Sequence, residues 1–376
     1  MSARRFHFEP GTGRVADFTR RLAQARQLPA AQDPQGRLGI APAQLARLAA
    51  HMRTFDWAGF TARVNQQPAF LSEYPGGQLH FVHARSAVRG ALPLLLLHGW
   101  PGSFLEFREL VTPLTTATPA FHVVCPSLPG YGFSTRSLER TCNAAAMADV
   151  MAQLMSELGY QRFIVQGGDW GSIIGTELAR RHAARCLGLH LNLAPFHPPP
   201  AGDPLREAVE PTETQWLPQN LQLLKDGMGY YAQQSTRPQT LAVALADSPL
   251  GLLAWLAEKY LAWSDADARG ASLVSDAAIA DQVALYWMTD SIGSSVRLYY
   301  DEAHYPAQQS RIEVPTAVAV FPRELIKNPR AWVAARCNLV HWSVQPRGGH
   351  FAALEVPQLL LEDLRHFVMQ ITQARA

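Results

Sequence analysis

The stretch Gln166-Gly167-Gly168-Asp169-Trp170-Gly171-Ser172 sets one acidic side chain between glycines two positions before and two positions after it. The apolar run RFIVQ precedes it and the helical pattern SIIGTELARRH follows, so the segment reads as a sharp strand-to-helix turn that presents Asp169 as a nucleophile. An aspartate there attacks carbon and becomes an ester itself, which points to alkyl transfer rather than acyl transfer. The competing reading is that Asp169 only caps the helix after it. Gly348-Gly349-His350-Phe351 follows the last strand-like run, where a general base belongs when nucleophile, acid and base occur in that chain order. The orienting acid then belongs after the preceding run, and Glu324 in PREL stands there, with Asp301 and Glu302 in reserve. His98-Gly99-Trp100-Pro101 follows an earlier apolar run, and from that turn the backbone N–H of Trp100, with that of Trp170, can converge on an oxyanion. His98 is read as structural. For each of these groups a blander role exists: a packing histidine, a solvated glutamate, a simple Gly-X-Pro turn.

The elements that would position them form a pattern. LPLLLL (92–97), FHVVC (121–125), RFIVQ (162–166), LGLHL (187–191), TAVAVF (316–321) and LVHWSV (339–344) alternate with amphipathic helical stretches, as in a parallel sheet flanked by helices. Over a hundred residues separate the fourth run from the fifth, and they carry helical periodicity at 217–232, 251–263 and 277–290 without a convincing parallel strand. The fold expected is therefore α/β, a mostly parallel sheet with helices on both faces and an inserted helical cap. Residues 14–27 and 43–65 also look helical, joined by a linker at 29–36, and form an N-terminal arm. The expected division is arm 1–66, core 67–195, cap 196–305 and core again 306–376.

Composition removes several function classes. The 376 residues are 48% hydrophobic and 17% charged with mean hydropathy −0.07, which suits a globular protein and excludes disorder and collagen. Lys and Arg number 33 against 31 Asp and Glu, a net charge of +2 with no basic run, so a nucleic-acid partner is not expected. The first residues, MSARRFHFEP, lack an apolar signal region, and the early run 91–97 is too short to span a bilayer, so cytoplasmic residence without a membrane anchor is expected. Cys125, Cys142, Cys186 and Cys337 are scattered without a CxxC pair, and reduced buried thiols and no metal are expected.

The motifs LHGWPGSFLEF (97–107), PSLPGYGFS (126–134), QGGDWGS (166–172), FPREL (321–325) and RGGHFAALEVP (347–357), in this order, resemble those of α/β-hydrolase-fold epoxide hydrolases of the microsomal type. The likeness extends to FDWAGF (55–60), LHFVHARS (79–86) and the cap segment 230–260, hence over nearly the whole chain. Without the anchor of microsomal members, the chain is similar to the soluble bacterial or fungal branch. The resemblance implies two cap tyrosines whose hydroxyls hold the epoxide oxygen. GYYAQQSTRP and SSVRLYYDE match those positions with Tyr230 and Tyr299, although Tyr231 and Tyr300 stand beside them. The implied substrate is a small hydrophobic epoxide, with water as second reactant and no cofactor; a homodimer stays open. Rival readings are a haloalkane dehalogenase, against which the paired tyrosines argue, and a catalytically silent ligand-binding protein of the same fold, against which the intact Asp169, Glu324 and His350 argue.

Overall fold

The computed structural model describes residues 3–26, 33, 36–137, 139–307 and 310–373. Most of the linker expected at 29–36 lies outside them. One nine-stranded sheet has the order β1-β2-β3-β5-β4-β6-β7-β8-β9. Its strands are β1 (Arg4–Phe6), β2 (Ala69–Tyr74), β3 (Gly77–Ala84), β4 (Leu92–Leu97), β5 (Phe121–Pro126), β6 (Phe163–Gly167), β7 (Cys186–Leu191), β8 (Ile312–Val320) and β9 (Cys337–Val344). From β5 to β9 all neighbours are parallel, and β1, β2 and β3 add antiparallel strands at one edge.

All six strands expected from apolar runs are present. Their runs are continuous because helices cover both faces: Leu94, Leu95, Val123, Val124, Ile164 and Val165 are fully buried. The antiparallel edge went unread because its strands mix polar and apolar residues, as in Glu73 and Gln78 facing solvent beside buried Leu71 and Phe81. The N-terminal segment therefore begins with a short sheet strand, β1, ahead of its expected helices, Thr12–Ala23, Pro42–Arg53 and Trp57–Val64.

Between β7 and β8 lies a helical insert whose main helices are Trp216–Asp226, Gly229–Thr236, Pro238–Asp247, Pro249–Trp263, Asp276–Thr289 and Ser291–His304. The single helix expected at 217–232 is two, broken after Gly227, and the helix expected at 43–65 is also two. There the first ends at Arg53, and Asp56 caps the second by accepting the Gly59 N–H at 2.9 Å. The N-terminal helices strap the insert: Phe18 packs on Trp57 and Trp287, and Arg63 meets Asp281 at 2.6 Å. A second tie is the ion pair of Arg136 and Asp301, with side chains only 1% and 3% exposed. No single helix among the described residues is long and apolar enough to cross a membrane.

Candidate active site

Each element of the site leaves the carboxyl end of a parallel strand, so the residues converge in one crevice. Asp169 follows β6 with φ 49° and ψ −129°, a conformation that non-glycine residues rarely adopt, and its side chain makes no capping bond to the helix Trp170–Arg181. The helix-cap reading thus fails. The flanking glycines are steric necessities: a Cβ on Gly167 would collide with the Gly171 carbonyl, and one on Gly171 with the Leu97 carbonyl. Gly99 is constrained by Asp169, since its Cβ would overlap that side chain.

The Trp100 N–H donates to Asp169 Oδ1 at 2.6 Å. Trp170 opens its helix, so its N–H has no acceptor within that helix and belongs to the same positive end. His98 turns back into the loops: its Nδ1 lies 3.0 Å from the Gly99 carbonyl, and its Nε2 accepts the Leu128 N–H at 3.1 Å. Burial pushes its pKa down to about 4, which keeps it neutral.

His350 is 3.2 Å from Asp169 through Nε2 and 2.6 Å from Glu324 through Nδ1. Burial disfavours its charge, yet the carboxylates of Glu324 and Asp169 outweigh that and hold its pKa well above the ordinary imidazole value. Glu324 Oε1 also accepts the Leu325 N–H at 2.6 Å. Asp301 and Glu302 are engaged elsewhere, on Arg136 and on the Ala144 N–H, so Glu324 alone of the three acids reaches the histidine.

The Gly-Gly preface has a steric reason. Gly348 sits at φ +106° against Phe321 and Val356, and a Cβ on Gly349 would come 2.6 Å from the Trp263 carbonyl. That close approach lets the His350 N–H donate to the same carbonyl at 3.0 Å. Glu355 completes the support by accepting the Asp265 and Phe351 N–H groups at 2.6 and 2.8 Å; burial raises its pKa to about 7.

Above this triad, the rings of Tyr230 and Tyr299 lie 6.0 Å apart. Tyr230 stacks on Trp100 at 5.6 Å, and Tyr299 meets Trp170 edge to face at 4.7 Å. Burial, then the charge of nearby Asp169, raises the pKa of Tyr230; burial, then Tyr230 and Asp169, raises that of Tyr299, so both hydroxyls stay protonated. Tyr231 is half-buried with its ring 5.3 Å from that of Tyr299, and Tyr300 stacks on His304. Trp263, whose ring contacts His350 at 5.2 Å and Tyr230 at 5.0 Å, was not singled out from the sequence. Its only local signal is one more aromatic residue on an already apolar helix.

Comparison with known proteins agrees with this geometry. Residues 93–355 match the family described as alpha/beta hydrolase fold, and residues 3–107 match the one described as epoxide hydrolase N terminus. Epoxide hydrolase 1 of Sus scrofa is 33% identical over 413 residues, covering 99% of this chain and 90% of the pig protein. The structure of Aspergillus niger epoxide hydrolase superimposes with a TM-score of 0.90 at 35% identity, over 99% of this chain and 97% of the fungal one. Juvenile hormone epoxide hydrolase of Bombyx mori gives a TM-score of 0.92 at 30% identity, over 100% of this chain and 96% of the other. Likeness that spans both the sheet core and the N-terminal segment makes this chain a member of the α/β-hydrolase-fold epoxide hydrolases.

Proposed function

We propose that the protein converts hydrophobic epoxides of the styrene-oxide kind and water into vicinal diols, through an ester formed on Asp169. The observation that carries this reading is the chain of contacts from Glu324 through His350 to Asp169, at 2.6 and 3.2 Å, beneath two buried tyrosines. In the first step Asp169 attacks an epoxide carbon, the C–O bond breaks, and the hydroxyls of Tyr230 and Tyr299 hold and protonate the leaving oxygen. Esterification removes the negative charge on Asp169, one of the two carboxylates that raise the His350 pKa, so the imidazolium releases its proton to solvent and the neutral ring can act as base, regaining a proton when the carboxylate returns. In the second step His350, oriented by Glu324, takes a proton from water as its oxygen attacks the ester carbon, and the N–H groups of Trp100 and Trp170 hold the oxyanion. Collapse releases the diol, returns Asp169 to a carboxylate, and restores the tyrosine proton from the same water.

The cap of this proposal is the segment 196–305, closing over a core made of 67–195 and 306–376, with 1–66 as the strapping arm. No cofactor has a role in these steps. Four buried free thiols support residence in a reducing cytoplasm, and sedimentation of the purified protein tests assembly as a homodimer.

A single turnover in ¹⁸O-labelled water tests the covalent route. The label is expected in Asp169 while the diol carries unlabelled enzyme oxygen; label in the diol and an unlabelled protein would mean direct attack of water on the epoxide. Halide release from haloalkanes with every epoxide untouched would favour the dehalogenase reading instead.

A further inference from the structure

Behind Asp169 lies a cavity of about 20 Å³, the space of one water molecule. Asp169, His350, Asn192, Glu106 and His98 are among its lining residues, and neither Tyr230 nor Tyr299 lines it. The mechanism above gives Glu106 no part. Yet this carboxyl is only 9% exposed, and no arginine or lysine among the described residues pairs with it. The chain makes room for it: Glu106 sits on the short turn Phe104–Phe107, capped by Ser103, and folds back over Gly102, where any Cβ would overlap its Oε1. Its carboxyl accepts the Ser103 backbone N–H and keeps further hydrogen-bonding capacity toward the cavity, which admits only a ligand as small as water.

We propose that Glu106 is a positioning residue for the hydrolytic water, holding it in this cavity between its own carboxyl and His350 Nε2, on the face of Asp169 that the tyrosines do not reach. The substrate then enters from the tyrosine side and water attacks from the Glu106 side, so the two steps use opposite faces of one carboxyl group. Protonation suits the role. Burial pushes Glu106 up to about 8, with His350 lowering it and Asp169 raising it. A neutral carboxylic acid donates a hydrogen bond to the water oxygen and leaves the water proton to His350, whereas a third carboxylate beside Asp169 and Glu324 would compete for it. In the step itself the water oxygen bonds to the ester carbon, one proton passes to His350 Nε2, and Glu106 ends as it began.

This inference rests on the covalent reading of Asp169, and the experiment separates the two. Rapid quenching followed by mass spectrometry of the Asp169 peptide reads formation and hydrolysis of the ester independently. In Glu106→Leu, ester formation is expected within about threefold of the parent and ester hydrolysis about 10²-fold slower, the scale of a misplaced reactant, so that alkylated peptide accumulates. Glu106→Gln, which keeps a donor and an acceptor, is expected to restore hydrolysis to within about tenfold. Should the leucine variant not fold, Glu106→Asp, which withdraws the carboxyl by one methylene, is expected to show the same split between the two steps. Equal loss in both steps, or unchanged hydrolysis, in the folded variant would overturn the inference. His350→Gln serves as the control: if it accumulates no alkylated peptide, the covalent reading itself fails, and if it does while the Glu106 variants do not, only the role of Glu106 falls.

Discussion

The triad floor and the tyrosine ceiling of the site are held by different forces. Below, Asp169, Glu324 and His350 stand on loops a few residues past the ends of buried strands, and hydrogen bonds of 2.6–3.0 Å through Trp100, Leu325 and Trp263 set their places. Above, Tyr230 and Tyr299 come from separate helices of the insert, Gly229–Thr236 and Ser291–His304, and are placed by ring contacts with Trp100, Trp170 and Trp263. Hydrogen bonds are directional and fix an atom; aromatic packing fixes a surface and tolerates small shifts. The floor is thus built for attack geometry, and the ceiling can adjust to the epoxide it covers. Two buried tyrosines of the insert join the levels, Tyr260 donating to the Pro101 carbonyl at 3.0 Å and Tyr286 to that of Gly102 at 3.3 Å.

Changes to the floor should be the most damaging. Asp169→Ala is expected to lower diol formation by at least about 10⁴-fold, the scale seen when a covalent nucleophile is removed. Its melting temperature should not fall, because the strained φ at this position is costly to any side chain; measurable turnover near the parent rate would deny Asp169 its role. Glu324→Gln keeps the shape but removes the charge that orients His350, and a loss on the order of 10³-fold is expected, concentrated in ester hydrolysis. A deficit confined to ester formation would contradict the division of labour between the two levels.

The ceiling should respond more mildly. Tyr230→Phe and Tyr299→Phe each remove one donor, and ring opening is expected to slow about 10²-fold. Tyr231→Phe and Tyr300→Phe, whose hydroxyls lie away from Trp100 and Trp170, should stay within about twofold by the diol assay; the reverse pattern would exchange the members of each doublet. Arg136→Met loosens the insert without touching the floor. Leaving the buried Asp301 with only Arg297 at 3.8 Å and the Cys142 N–H at 2.9 Å as partners is expected to cost about 3 kcal/mol in a denaturant titration, with kcat/KM about tenfold lower through misplaced tyrosines. Unchanged kcat/KM would show that ring packing alone holds the ceiling.

The smallest effect on activity is expected at Asp363, on the helix Pro357–Gln373, which carries no residue of the triad. Asp363 accepts from His190 at 2.9 Å and from His341 at 3.1 Å. Burial would raise its pKa, but these hydrogen bonds prevail and hold it far below the usual carboxylate range. A depressed pKa contributes stability that is present above the unfolded value of about 3.9 and lost as pH falls through the folded one. Asp363→Asn should therefore lower the melting temperature near pH 7 and flatten its decline below pH 4, with turnover at neutral pH near the parent's. An unaltered acid limb would place the acid sensitivity elsewhere.

Residues whose roles follow from local backbone geometry were legible in the chain. Gly167 and Gly171 around Asp169, and Gly348 and Gly349 before His350, announce a tight turn by residue type alone, although the atoms a Cβ would meet at Gly171 and Gly349 belong to distant segments, the Leu97 and Trp263 carbonyls. The five inner parallel strands, β4 to β8, were legible because strands covered on both faces are largely apolar, whereas β9, at the sheet's edge, is only half-buried. The tyrosine pair was legible only through family resemblance, since nothing in YY doublets says which hydroxyl faces inward. Helix phase and packing distinguish the second pair, stacking Tyr300 on His304 and leaving Tyr299 fully buried, and this supports the choice of Tyr299. The antiparallel edge strands, the contact of Trp263 with His350 and the back cavity at Glu106 left no local mark. Each depends on contacts between segments far apart in sequence, so the chain by itself determined which groups could react, and only tertiary packing decided which faces of Asp169 they meet.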